Sequence, residues 1–550
     1  MRSPIFLLLF LICSGFCQAQ LLKSTQRFTK ADTLRGMLTP LRTCYDVNYY
    51  HLDIKLDLDK KEIKGSNLFR FTAVADFIEL QFDLFNNYQI EKIEYLGQNL
   101  KFRREFNAVF LSFPDMIKKG SRQDFRVFYS GPPIIAKNAP WDGGFVFSKD
   151  SSGKPWVGVA CQGLGASSWW PTKDHQSDEP DSILISVSVP KGLMNISNGT
   201  LRSTTEKQND YTQYNWFVSN PINNYNVTLN IGDYTHFSDT FSGESGKLNL
   251  DYYVLKENLS KAKPHFDADV KPMLKSFEHW FGPYPFYSDG YKLVETPYLG
   301  MEHQSAIAYG NGYKKGYRGR DLSGTGLGLF WDFIIVHESG HEWFGNNITS
   351  KDIADMWIHE SFTNYSEGLF VESIKGKQAG AQYIKGLRKA ILNDIPIIGP
   401  YHVNKEGSSD MYVKGSNMLH TIRTIIDNDA MWLGVLRGLN KTFRHKTTTT
   451  EEIVAYINQT TGKNLSPVFD QYLRYTEIPV LEIKKTGKKS FQCRWKADVK
   501  DFSMPLKIKT KSNADKWTMR NISTQWQNIR ADSIIVDSDN FYIKTNNIQN

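Results

Sequence analysis

Residues 330–365 read FWDFIIVHESGHEWFGNNITSKDIADMWIHESFTNY, and their pattern sets the reading of the whole chain. His337 and His341 are four residues apart, which on a helix is a turn of roughly 400°, so both rings leave one face. Two imidazoles placed in this way suit one zinc ion, with Glu338 beside them to take a proton from a water. Leu327, Phe330, Phe333, Ile334 and Val336 make the N-terminal half apolar almost all round, which predicts a buried helix. Polar groups on such a helix must be hydrogen-bonded or metal-bound. Gly345-Asn346-Asn347 is its predicted end. A second predicted helix runs from about Ile353 to Ile374 and carries Glu360, Asn364 and Glu367 on one face. A hydrolytic zinc site takes a third protein ligand and leaves a fourth position for water. Glu360, on an antiparallel neighbouring helix, can supply that ligand. Glu367 either orients a ligand histidine or is an ordinary surface carboxylate.

Outward from this stretch the periodicity changes twice. Between about Leu41 and Asp233 the pattern alternates, as in Leu52, Ile54, Leu56 and Leu58, or in Phe77 to Leu84, which predicts a large antiparallel β domain. Val159 to Asp174 breaks the alternation with glycines, tryptophans and small residues. It reads as a loop, with Gln162 either a surface amide or a substrate contact. A helical period covers Leu259 to Phe281 and is stopped by Gly282-Pro-Tyr-Pro285. Tyr291–Val294 is a short predicted strand leading to Tyr298–Ser305, where Glu302 either meets a positive charge or is solvated. Further helices are expected over 379–392, 413–427, 430–443 and 450–460. From Ile478 alternation returns in a small β domain. The fold class is therefore multidomain α+β, divided as 41–235, 236–475 and 476–550.

The 550 residues exceed the size at which a single core stops growing, and 40% hydrophobic with 13% aromatic residues fits large cores. The net charge of +8, from 66 basic and 58 acidic residues, is spread without a basic stripe, which argues against a nucleic-acid partner. Arg2, the apolar run Ile5–Ile12 and Ala19 before Gln20 predict a signal peptide over 1–19, hence an exported, periplasmic or secreted protein. The rival is a lipoprotein signal acylated at Cys13 or Cys17. No later segment reaches the ~20 apolar residues of a membrane span. Cys44, Cys161 and Cys493 allow one bridge at most.

His337-Glu338-X-X-His341 followed by eighteen residues and Glu360 resembles the gluzincin metallopeptidases, and further segments resemble their aminopeptidase N family. Trp343-Phe-Gly-Asn to Trp357-Ile-His-Glu360 is similar to the stretch around that family's third ligand. Phe281-Gly-Pro-Tyr-Pro285 resembles its segment before the exopeptidase motif. Tyr298 to His303 resembles that motif itself, Gly-X-Met-Glu-Asn: Met301 and Glu302 match, while Leu299 and His303 replace the glycine and asparagine. Tyr412-Val-Lys-Gly415 is similar to the catalytic tyrosine motif, and Gln162 falls where the family places a substrate-contacting glutamine. The resemblance implies a β saddle domain, a thermolysin-like catalytic domain and a β-sandwich. It further implies one zinc ion held by His337, His341 and Glu360, with Glu338 as general base and Tyr412 as oxyanion partner. Gln162, Met301, Glu302 and His303 would bind peptides with a free N-terminus. The rival is a thermolysin-like zinc endopeptidase, which leaves Met301-Glu302 unexplained. Most relatives carry a large helical domain over the site; its absence here implies an open cleft, or one covered by a partner subunit in a homo-oligomer.

Overall fold

Alternating apolar residues build the first layer. In Tyr45–Asp57, the side chains of Tyr45, Val47, Tyr50, Leu52, Ile54 and Leu56 are buried, while those between them are at least partly exposed. The computed structural model describes residues 27–510 and 516–549, so the expected signal peptide, with Cys13 and Cys17, lies outside the described residues. Tyr45–Asp57 lies in an eight-stranded sheet, between Glu62–Ala73 and Ser182–Pro190. The expected all-antiparallel pairing fails at one place: Tyr45–Asp57 runs parallel to Ser182–Pro190. Parallel neighbours need a long crossover, and here more than a hundred residues supply it. An aromatic core fills the space below this sheet, with Phe69 stacked on Phe125 at 4.4 Å and Tyr50 edge-on to Trp170 at 5.1 Å.

One buried ion pair fixes the loop that leaves this domain towards the site. Arg42, fully buried within the short helix Pro40–Thr43, pairs with Asp83 on the strand Phe77–Asp83. Asp83 also accepts from the Asp174 amide at 3.1 Å, and Asp174 accepts from the amides of Ala166 and Ser167 at 3.2 and 3.0 Å. The glycine-rich segment carrying Gln162 is thus held through its own Asp174 and through Asp83, itself paired with Arg42.

The middle of the chain opens with the hairpin Tyr234–Gly243 and Gly246–Leu255, followed by the helix Leu259–Phe281 over the range expected. Tyr291–Glu295 and Ile307–Tyr309 continue the sheet in parallel, and Gly300–Met301 forms its antiparallel edge. The helices Phe333–Gly340, Trp357–Lys375 and Asp410–Ile426 pack beneath it. Towards the C-terminus a four-stranded and a three-stranded sheet share Leu481, Trp495, Met504 and Leu506 with the same hydrophobic core. Cys44, Cys161 and Cys493 are all free and buried.

Trp357–Lys375 meets Asp410–Ile426 at small residues. Ser361 Oγ donates to the Met411 carbonyl at 2.6 Å, and Ser416 Oγ donates to Asn364 Oδ1 at 2.7 Å. A Cβ on Gly415 would fall on Ser361, 2.7 Å from its own Cβ. Gly415→Ala is therefore expected to cost about 1–3 kcal/mol, seen as a lower Tm in thermal unfolding. An unchanged Tm would show that the two helices do not approach this closely.

Candidate metal centre

The helix bearing the two histidines is anchored at its start. Asp332 caps it by accepting from the amides of Ile334 and Ile335 at 2.9 and 3.3 Å. The same carboxylate accepts from Tyr309 at 2.8 Å and Asn311 at 2.8 Å and stands 2.7 Å from His265 Nε2. Ile334, Ile335 and Val336 lie in the core, and His337 and Glu338 are buried with them, Glu338 sharing the side of Ile334 that faces Gly300. The helix ends earlier than the sequence reading placed it. Regular helix stops at Gly340, His341 is its cap, and a wider turn over Glu342–Asn346 is broken at Phe344 and Gly345. This break turns the Phe344 carbonyl back onto His341 Nδ1 at 3.1 Å. Gly345 has φ 131°, and a Cβ there would stand 3.2 Å from His341 Nδ1.

Both imidazoles are thereby oriented through Nδ1. His337 Nδ1 stands 2.8 Å from Glu367 Oε1, and Glu367 also accepts from Asn364 and Tyr383 at 2.8 and 2.7 Å. Glu367 is fully buried, which excludes the reading as a surface carboxylate. Nε2 of each ring is left facing Glu360 Oε2, at 3.9 Å from His337 and 3.4 Å from His341. Glu360 Oε2 is buried and accepts no hydrogen bond. Four-coordinate zinc with bonds of ~2 Å sets its donors roughly 3.3 Å apart, so two imidazoles and this carboxylate fit that ion. A second set, Glu302, Glu338 and His341, also brings its donor atoms within 4.8 Å of one another.

Around this cluster the other expected residues fall unequally. Glu302 Oε1 accepts from Gln162 Nε2 at 2.6 Å and from Tyr225 at 3.2 Å, while its backbone carbonyl accepts from Asn346 at 2.8 Å. Gly300 lies directly over Glu338: a Cβ there would stand 2.7 Å from Glu338 Oε1. The Tyr412 ring is 6.1 Å from the His337 ring, in the first turn of Asp410–Ile426. Met301 packs with Tyr298 and Ala306 in the hydrophobic core of the N-terminal domain. His303 is completely buried with neither ring nitrogen hydrogen-bonded, and burial pushes its pKa down to about 3. No hydrogen bond joins either of these two side chains to the cluster. Tyr225, Asn346 and Gly300 were missed by the sequence reading. Tyr225 sits within Asn223-Asn-Tyr-Asn226, which carries no period, and its partner lies 77 residues along the chain.

Burial dominates the electrostatics. It pushes the Glu338 carboxyl up to about 7, with Glu302 adding to the rise and His337 opposing it. Burial pulls His341 down, but Glu360, Glu302 and Glu338 together push it up to about 10. Burial, then Glu360 and Glu406, hold the Tyr412 hydroxyl well above the ordinary tyrosine range.

Residues 330–472 match the model of the Peptidase family M1 domain. The chain is 20% identical over 453 residues to tricorn protease-interacting factor F2 of Thermoplasma acidophilum, covering 80% of this chain and 54% of that protein. It is 24% identical over 329 residues to probable aminopeptidase 1 of Sulfurisphaera tokodaii, covering 56% and 40%. It is 22% identical over 439 residues to leukotriene A-4 hydrolase of Xenopus laevis, covering 74% and 67%. The chain thus spans about half the length of the first two relatives. Among solved structures, the M1 zinc metallopeptidase from Deinococcus radiodurans shares the fold with a TM-score of 0.66 at 20% identity, over 79% of this chain and 94% of that one.

If Glu367 holds the His337 ring for metal binding, Glu367→Ala is expected to weaken zinc affinity roughly 10- to 100-fold in competition with a chromogenic chelator. Equal affinity in the variant would leave Glu367 a packing residue only.

Proposed function

We propose, on the premise that residues 330–472 are a Peptidase family M1 domain, that this chain is a zinc-dependent aminopeptidase removing the N-terminal residue of peptides. One observation carries the exopeptidase reading. Glu302 is 3% exposed, held by Gln162 and Tyr225 beside Glu338 and His341, and no lysine or arginine among the described residues pairs with it. A buried carboxylate without a cation is costly. The α-ammonium of a peptide's first residue supplies that cation, whereas an internal peptide segment has none to offer. The names of relatives as aminopeptidases support the same reading.

His337, His341 and Glu360 are the residues that would hold the zinc ion. When bound, zinc supplies a Lewis acid that polarises the scissile carbonyl and eases deprotonation of a water. Glu338 takes the proton of the attacking water and passes it to the departing amine. Tyr412 stays protonated, because burial opposes its ionisation, and its hydroxyl donates to the oxygen on which negative charge develops. Gln162 and Tyr225 keep Glu302 in place to receive the ammonium, so the first peptide bond is the one presented. Gly300 leaves room for the Glu338 carboxylate beside the sheet edge. On the sequence of residues 1–19 we place the reaction outside the cytoplasm.

Aminoacyl-coumarin substrates and their N-acetylated forms, assayed with and without a chelator, test this. Cleavage is expected only with a free amine and with zinc present. Glu302→Ala is expected to cut kcat/KM for the free-amine substrates; equal cleavage of acetylated peptides by the wild type would overturn the exopeptidase reading. Tyr412→Phe is expected to lower kcat by roughly 10²–10³ with little change in KM, and an unchanged kcat would remove the oxyanion role.

A further inference from the structure

One carboxylate facing this centre has no task in the reaction above. Glu406 belongs to the connection between the turn Arg388–Ala390 and the helix Asp410–Ile426, six residues before Tyr412. That connection is fastened to the N-terminal part of the chain. Val403 packs so closely on Gly36 that no Cβ fits between them. Asn404 Nδ2 donates to the Gly163 carbonyl at 3.3 Å, and the Arg35 guanidinium donates to the same oxygen at 3.4 Å. Glu406 Oε1 consequently lies 3.7 Å from where a Gly163 Cβ would stand. Gly163 follows Gln162, whose amide holds Glu302. The Glu406 carboxylate therefore sits against the same wall of the site that positions the proposed ammonium acceptor.

It has no partner there. Among the described residues no hydrogen bond and no ion pair is made by the Glu406 side chain, which is only half-buried. Burial, then Glu360 and Glu302, push its carboxyl up to about 7. Glu360 is committed to the metal set and Glu302 to the α-ammonium. Glu406 is the negative charge left over, on the wall next to the place of the substrate's first residue. An ammonium or guanidinium on that residue's side chain would match it, and charge-assisted hydrogen bonds of this kind are the strong ones.

We propose that Glu406 recognises the side chain of the substrate's N-terminal residue, and that the preferred substrates are peptides beginning with arginine or lysine. The proposal rests on the aminopeptidase reading and adds a substrate class to it. The full-length, zinc-loaded protein is assayed on arginyl-, lysyl-, leucyl- and glutamyl-coumarin substrates. The wild type is expected to show its highest kcat/KM on arginyl and lysyl substrates, and added salt is expected to lower these more than the leucyl value. Glu406→Gln, close in shape, is expected to reduce the arginyl-to-leucyl ratio roughly 10- to 100-fold. Glu406→Lys is expected to raise the glutamyl-to-arginyl ratio. An unaltered ratio in Glu406→Gln overturns the proposal while leaving the aminopeptidase reading standing. Should Glu406→Gln not fold, a wild type that cleaves leucyl substrates as well as arginyl ones, with equal salt dependence, overturns it alone. A wild type inactive on every free-amine substrate, or equally active on acetylated ones, overturns both readings.

Discussion

Two imidazoles and several carboxylates are kept together at the centre of this fold, where water hardly reaches. His337, His341, Glu302, Glu338, Glu360 and Glu367 are each no more than 8% exposed. Burying like charges is opposed by desolvation and by repulsion, and both terms are visible in the raised pKa of Glu338. The protein answers with fixed donors for Glu367 and Glu302 and none for Glu360 Oε2. A cation at the centre relieves the remainder. The two ring nitrogens that face Glu360 are the ones left free by the Nδ1 contacts to Glu367 and Phe344.

How much of this was legible in the sequence depends on separation along the chain. His337, His341, Glu360 and Glu367 fall within thirty-one residues, so spacing put each pair on one face of its own helix, and the family resemblance brought the two faces together. The large β domain and the long helix Leu259–Phe281 were equally readable, because period and stop signals are local. The helix end at Gly340 was not. Gly345 looked like a helix stop, but its positive φ serves a wider turn that brings a carbonyl to His341. The parallel pairing of Tyr45–Asp57 with Ser182–Pro190 was hidden for a related reason: alternation tells which face is buried but not which strand lies alongside.

Side chains that act on the site from a distance were the least legible. Tyr225 reaches Glu302 from 77 residues away, and Asn346 reaches the Glu302 backbone from 44. Glu406 has no motif at all, and Asn404 and Val403 fasten its loop against Gly163 and Gly36 of the N-terminal part. The departures from the family motif, Leu299 and His303, also read differently in three dimensions. The glycine that matters beside Glu338 is Gly300, and His303 is a neutral, buried ring without a polar partner.

Two overlapping triads compete for the part of metal site, and their hydrogen bonds separate them. His341 belongs to both, but its Nδ1 is engaged by Phe344 and Thr363, so Nε2 alone remains to ligate. In one triad the carboxylate is Glu360, whose Oε2 accepts nothing and lies 3.4 Å from that nitrogen. In the other it is Glu302, whose Oε1 already receives Gln162 and Tyr225. Taking Glu302 as a ligand through that oxygen would break two buried hydrogen bonds and leave their donors unsatisfied, at about 1–3 kcal/mol for each. Taking Glu360 breaks none and satisfies an orphaned oxygen. The same asymmetry leaves Glu302 anchored beside the metal set, with one carboxylate oxygen already oriented by Gln162 and Tyr225.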